Sequence, residues 1–200
     1  GMVPEIFAPG IVSTDAPEGC ICFSSDGKFL VFRRHFREET EILISEKKNG
    51  AWTRPKIAPF FMKQYRFGDF TFAPNELKLY FTSNRPLDNG DEPAGSSNLW
   101  VVENIDNQWL KPSPLGPSVN SPLHDSYPSV SNSKTIYFFR RYDSDDGASE
   151  ILSSEFRNGK YSEPRRLGPT INTKWDEWDP CISPDGRMLV FCSKKPSGLG

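Results

Sequence analysis

The sequence predicts an all-β protein assembled from repeated four-stranded antiparallel units, and three observations carry that prediction. Eighteen prolines and 15 glycines are spread along the 200 residues and interrupt any long helical pattern. Four segments superimpose: CICFSSDGKFLVFRR from Cys20, DFTFAPNELKLYFTSN from Asp69, YPSVSNSKTIYFFRR from Tyr127 and DPCISPDGRMLVFCSK from Asp179. Their anchor phenylalanines, Phe32, Phe81, Phe139 and Phe191, lie 49, 58 and 52 residues apart, and such a period changes the meaning of every local motif inside it. Behind each of the first three comes a second matching stretch, TEILISEKKNGAWTRP, SNLWVVENIDNQWLKP and SEILSSEFRNGKYSEP. Ile42 and Trp52, Leu99 and Trp109, and Ile151 and Tyr161 are each ten residues apart, and each of these aromatics precedes a proline by three (Pro55, Pro112, Pro164).

Each unit reads as four strands, A to D, joined by connections whose chemistry follows from the turn residues. A and B meet at Asp26-Gly27, Asn75-Glu76, Asn132-Ser133 and Asp185-Gly186, each with an Asp or Asn that tolerates positive φ. C and D meet at Asn49-Gly50, Asp106-Asn107 and Asn158-Gly159, the residues that two-residue hairpins demand. By propensity alone FREETEILISEKK, from Phe36 to Lys48, is an amphipathic helix. Its counterparts LWVVE and EILSSE sit in the same ten-residue register with β-branched residues among them, so the stretch is assigned to strand.

A four-stranded unit of about 50 residues, apolar on both faces, cannot bury those faces alone, so neighbouring units must stack around an axis as the blades of a β-propeller. The SPDG of Ser183 to Gly186, the LVF or LYF strand after it and the later W-x-x-P-x-x-LG-P-x-x-N resemble the TolB-like propeller repeat, itself WD40-like. The resemblance covers nearly the whole chain and implies a propeller of six blades or more. It also implies a role in recognition or substrate gating, as in TolB-type translocation proteins and some peptidases, and a periplasmic or extracytoplasmic setting. One domain is expected over 1–200, with repeats at about 18–67, 68–124 and 125–175, a partial one at 176–200, and 1–17 as the outer strand of a flanking blade. Pro4 to Ser13 aligns with Pro112 to Ser121 and with Pro164 to Thr173, which is the ground for that last assignment. A self-contained four-bladed ring is the alternative, and it leaves an unpaired edge.

Composition removes several function classes. Lys plus Arg number 24 against 26 Asp plus Glu, so the formal charge of −2 gives no electrostatic reason to expect nucleic acid. No apolar run approaches the roughly 18 residues of a membrane-crossing helix, and the first 20 residues hold no basic segment followed by an apolar stretch, so no signal peptide is read there. Four cysteines in 200 residues are too few for a disulfide scaffold, and no C-x-x-C pair suggests zinc or redox chemistry. There is no G-x-S-x-G, no H-E-x-x-H and no phosphate-binding glycine loop. Two histidines, His35 and His124, are too few for a three-histidine zinc site, and neither a metal nor an organic cofactor is implied.

The two faces of the disc are unequal in sequence. A-to-B and C-to-D turns are short, whereas B-to-C and D-to-A loops are long and varied, and long loops on a rigid scaffold are where ligands are held. Acids recur where the chain enters strand A: Glu18, Asp125 and Glu177 align, with Phe67 in that place in the second unit. Hairpin arithmetic sets Glu18 near Arg34, Asp125 near Arg140 or Arg141, and Glu177 near Ser193 or Lys194. Two readings follow: a mixed-charge ring that grips a polar ligand at the channel mouth, or an ion pair or backbone cap repeated because the blade repeats. Trp175, beside Glu177, suits sugar or peptide stacking or interblade packing equally. Phe60, Phe61, Met62 and Tyr65 serve either a partner or the covering of blade edges. Asp143, Asp145 and Asp146 lack the spacing of a calcium loop, and a solvated acidic turn is the preferred reading. The candidate binding set is therefore Glu18, Arg34, Asp125, Arg141, Trp175, Glu177 and Lys194, in a noncatalytic module for a protein, peptide or carbohydrate. The competing expectation is a glycan-active enzyme with Glu18, Asp125 and Glu177 as catalysts and Trp175 as sugar platform.

Overall fold

The computed structural model describes residues 3–36, 39–88, 90, 92–142 and 148–196, with Phe36 by its backbone alone. Strands β1 (Glu18–Phe23), β2 (Phe29–Phe36) and β3 (Glu39–Lys48), with the short β4 (Ala51–Trp52) and β5 (Lys56–Ile57), form the first blade. The second holds β6 (Phe67–Phe72), β7 (Lys78–Ser83), β8 (Asn98–Ile105), β9 (Gln108–Trp109) and β10 (Ser113–Pro114). The third holds β11 (His124–Val130), β12 (Ile136–Arg141), β13 (Ser149–Ser154), β14 (Phe156–Arg157), β15 (Lys160–Tyr161) and β16 (Arg165–Arg166), and β17 (Glu177–Ile182) with β18 (Leu189–Ser193) begins a fourth. These are three full antiparallel repeats and a partial one, and the stretch that helix propensity claimed is β3.

Strand D is split in each of the three full blades. Its first piece continues the hairpin from strand C, and its second pairs further back along C, as in Leu43↔Ile57 and Leu152↔Arg166. Pro55, Pro112 and Pro164 sit at the break, where a missing N–H cannot join the ladder. The hairpins have positive φ at Asn49 and Gly50, Asp106 and Asn107, and Asn158 and Gly159, as their residue types require. The A-to-B turns differ from expectation: positive φ falls on Gly27, Gly186 and Lys134, not on the Asp or Asn. Asp26 and Asp185 instead cap the turn, each carboxylate accepting the hydroxyl two residues back (Ser24 2.7 Å, Ser183 2.6 Å) and the N–H two residues on.

The cores lie between blades. Phe29, Val31 and Ile42 of blade one pack with Phe60, Phe67, Phe72, Leu79 and Phe81 of the following segment, and Tyr80, Leu99, Val130, Ile136 and Phe138 fill the next interface. Burial of each such side chain contributes about 1.5–3 kcal/mol. Met188 and Val190 hold the repeat positions of Phe29 and Val31 in the fourth unit and are 62% and 58% exposed, whereas Phe29 and Val31 are 7% and 0% exposed. The same strand position is dry only where the next blade stands against it, so stacking is what buries these faces.

One alignment shifts. Phe138 pairs with Leu152 as Phe32 pairs with Leu43 and Phe81 with Trp100, and it is fully buried, so Phe138, not Phe139, is the third anchor. The turn between β11 and β12 is one residue shorter than its counterparts, and a one-residue slip moves every side chain to the other face. Residues 3–17 also differ from the outer strand expected there: they form turns and bends with a single bridge, Pro9↔Ser13. No strand C stands beside them among the described residues, so they pack through Ala8, Ile11 and Val12 onto Leu30 and Phe32.

Candidate functional site on the long-loop face

The three aligned acids are built into the fold. Glu18 lies opposite Arg34, whose Nε donates to it at 2.8 Å, and Asp125 lies opposite Arg140, whose Nε donates at 2.7 Å. Each carboxylate also takes the N–H and hydroxyl of the residue four before it: Thr14 for Glu18, Ser121 for Asp125, Thr173 for Glu177. Arg34 and Arg140 then donate to the carbonyls of Ile11 and Val12 and of Val119. Glu177 completes its set with the Ser193 hydroxyl at 3.0 Å, and Asp125 and Glu177 are fully buried. The result is a lock that ties the D-to-A connection to strands A and B. In Glu18 burial pushes the carboxyl up, but hydrogen bonds from Thr14 and Arg34 outweigh it and hold the group below its usual value. Blade two closes without the lock, by stacking Phe67 on Phe81 at 5.4 Å between ring centroids.

Two residues further along each inner strand the chain does something different. Cys20, Asp69, Tyr127 and Asp179, which head the four aligned segments, all have left-handed backbones, with φ of 51°, 55°, 54° and 50°. Each sits in a register shift of the A–B ladder, between Gly19 and Cys22, Gly68 and Thr71, Ser126 and Ser129, and Trp178 and Cys181. A bulge re-aims a side chain, and four non-glycine residues held in this region cost of order 1–3 kcal/mol each. All four converge on the axis: the Tyr127 hydroxyl is pushed up by burial and by the charges of Asp69, Asp179 and Cys20, and it hydrogen-bonds Asp69. Burial raises Asp69 as well, against hydrogen bonds from Thr82 and Tyr127 and the nearby charge of Arg33. Burial and then Asp69 push Asp179 up to about 6, and its Oδ1, like Arg33 Nε, has no hydrogen-bond partner among the described residues.

Beside this axis opens a cavity of about 430 Å³ between blades three and four. Tyr127, Phe139, Arg141, Trp178, Asp179 and Lys194 are among its lining groups. The shift that buries Phe138 turns Phe139 into the channel, where it packs on Tyr127 at 5.7 Å, and carries Arg141 past the lock to the cavity wall. Lys194 pairs with Asp176, whose carboxyl is held low by that contact, and lies 5.7 Å over the Trp178 ring.

Of the candidates taken from sequence, Arg141 and Lys194 therefore come together in one cavity, whereas Glu18, Arg34, Asp125 and Glu177 are consumed by the lock. Arg140, not Arg141, is the partner of Asp125, for the same one-residue reason. Trp175 is 37% exposed, with Lys174 5.2 Å over its ring, and stands outside the cavity lining. Phe60 and Tyr65 are buried in the interface between blades one and two, and Met62 is exposed. His35 is bonded to Thr40, and the His124 ring accepts the Ser97 N–H. The acidic turn Asp143, Asp145, Asp146 lies outside the described residues. Asp69, Tyr127 and Asp179 escaped the site prediction although each begins a repeat segment; the clue was a shared alignment column whose residues differ in chemistry, which repetition for stability alone does not require.

The architecture is shared with solved propellers. A putative TolB from Agrobacterium tumefaciens superimposes with a TM-score of 0.60 at 19% identity, over 91% of this chain and 60% of that one. TolB from Acinetobacter baumannii gives 0.57 at 19% identity, over 86% and 36%, and a puromycin-hydrolyzing peptidase of Mycobacterium tuberculosis gives 0.61 at 13%, over 92% and 26%. The chain thus spans about 60% of the first of these structures and 36% of the second. No family model matches the sequence, and no curated protein does. The fold is that of a TolB-like β-propeller.

Proposed function

We propose that the chain is a noncatalytic binding propeller that seats a peptide segment of a partner protein in the cavity at its channel mouth. The observation that supports this is the division of labour among charged groups: the three aligned acids are spent inside the blades, while Arg141, Asp179 and the Lys194–Asp176 pair face an opening walled by Phe139 and Trp178. A peptide offers a carboxylate for Arg141, N–H groups for Asp179 and side chains for the aromatic walls. The TolB relatives are consistent with a binding role, and the mycobacterial neighbour is an enzyme of which this chain matches 26%. Peptides selected from a random displayed library on the immobilised protein should lose at least tenfold in affinity to an Arg141→Glu, Trp178→Ala variant with unchanged thermal unfolding. Equal affinity for that variant overturns the reading.

A second reading, glycan-active chemistry, is favoured by one observation: Asp179 is held up to about 6 beside Asp69, and a raised acid next to a second carboxylate is the arrangement acid–base catalysis uses. Turnover of a chromogenic glycoside panel that Asp179→Asn abolishes would establish it in place of the first.

A further inference from the structure

We propose that a second cavity on the long-loop face receives a basic side chain, arginine or lysine, carried by a polypeptide. It lies in blade two between the described residues of the stretch 86–96 and the connection at 114–122, and its volume is about 860 Å³, twice that of the channel-mouth cavity. Its walls are Pro86, Leu87, Ala94, Pro114, Pro117 and Pro122. Prolines present apolar rings and no N–H, so these walls offer hydrocarbon contact and few donors.

The polar groups of the cavity call for a donor. Asn98 is among its lining residues, 2% exposed, and its Oδ1 has no hydrogen-bond partner among the described residues. Asn120, which lines the same space, is already satisfied: it accepts the Leu99 N–H at 2.8 Å and donates to the Leu99 carbonyl at 3.0 Å. A buried amide oxygen left without a donor is costly, so a ligand that supplies one gains more than a surface contact would give. At the rim stand the exposed carboxylates of Asp88 and Glu92, with no ion-pair partner among the described residues; Asp88 accepts only the Gly90 N–H at 3.0 Å. A buried acceptor, exposed acids and an apolar lining match a side chain with an alkyl stem and a cationic, donor-rich head.

That chemistry stands by itself. The claim that the head arrives on a polypeptide rests on the reading of the channel-mouth cavity: the Ser97 N–H, between Ser96 and Asn98 of this cavity, donates at 3.1 Å to His124, which lines the other, so the two openings are neighbours. The test is titration of the isotope-labelled protein with the blocked tripeptide Gly-Arg-Gly, its neutral citrulline analogue and free agmatine, followed by amide resonances. The arginine peptide should shift the amides of Ala94, Ser96 and Asn98 and leave those of Asp176 and Trp178 in place, and the citrulline peptide should bind at least fivefold more weakly. An Asp88→Asn, Glu92→Gln variant, which alters two exposed side chains, should weaken the arginine peptide at least fivefold with an unchanged circular dichroism spectrum; Asn98→Leu should weaken it too. Equal binding of arginine and citrulline peptides, undiminished binding to the double variant, or shifts confined to other residues overturns the cavity's assignment. Agmatine binding as tightly as the peptide overturns the polypeptide claim alone. Loss of the Arg141→Glu effect described above leaves this site standing, and failure here leaves that effect untouched.

Discussion

Asp125 and Asp179 sit two repeat positions apart on the inner strands of neighbouring blades, and the fold treats them in opposite ways. Asp125 is fully buried and receives the Ser121 N–H, the Ser121 hydroxyl and the Arg140 guanidinium. Asp179 is partly exposed, lacks a partner for Oδ1 and is pushed up to about 6 by burial and by Asp69. The difference teaches where to look in a repeat protein. A carboxylate with its hydrogen bonds filled by its own blade contributes stability, and one held by a bulge without them costs stability and is free to meet a ligand.

The contrast is broken most severely at the lock. Asp125→Ala removes the partner of a guanidinium whose side chain is 15% exposed and strands the Ser121 N–H, so urea unfolding should show a loss of about 3–5 kcal/mol. Arg140→Met added to it should restore a good part, because the uncompensated charge leaves with the arginine. A loss no larger in the single than in the double variant would deny the ion pair its role. Blade two already shows that an apolar contact can take this place, since Phe67 opposite Ser83 closes it by stacking on Phe81 and meeting Phe61 edge-on.

On the axis the sign reverses. Between 3.8 and about 6 the folded protein keeps a proton on Asp179 that the unfolded chain has lost. Stability contributed by that group is therefore present below the unfolded value and declines as pH rises through the folded one. Asp179→Asn holds the neutral form at every pH. It should raise the unfolding midpoint above pH 7 and bring no gain near pH 4, a smaller effect than that of the lock; a gain independent of pH would place the cause elsewhere.

Much of this was legible in the chain itself. Repeat spacing, the Asn-Gly hairpins and the ten-residue register determined blades and strand order, because each follows from local chemistry copied several times, while hairpin arithmetic set the aligned acids near their partners and left open whether they grip a ligand or lock the blade. What stayed hidden was governed by single residues. One residue fewer between β11 and β12 moved the anchor from Phe139 to Phe138 and decided for Arg140 over Arg141 as the partner of Asp125, and no periodicity reports where within a turn a deletion falls. The axial group was hidden for another reason: Cys20, Asp69, Tyr127 and Asp179 share a backbone conformation and not a side-chain type. The cavity over Asn98 depends on a carbonyl's lack of a partner, a property of three-dimensional packing alone.

The finest test separates the two causes that hold Asp179 up. Burial is the larger and the charge of Asp69 the smaller, so Asp69→Asn relieves only the second. The titration midpoint of the Asp179 carboxyl carbon should then fall below about 6 and stay above 3.8, because the walls that exclude water are unchanged. Asp125→Asn, made in the lock, should leave that midpoint where it is, since Asp125 is not among the groups that shift Asp179. A midpoint unmoved by Asp69→Asn would mean that the two axial carboxyls do not sense each other, and the acid pair behind the glycan-active reading would be lost while the peptide-binding cavity kept Arg141, Lys194 and its aromatic walls.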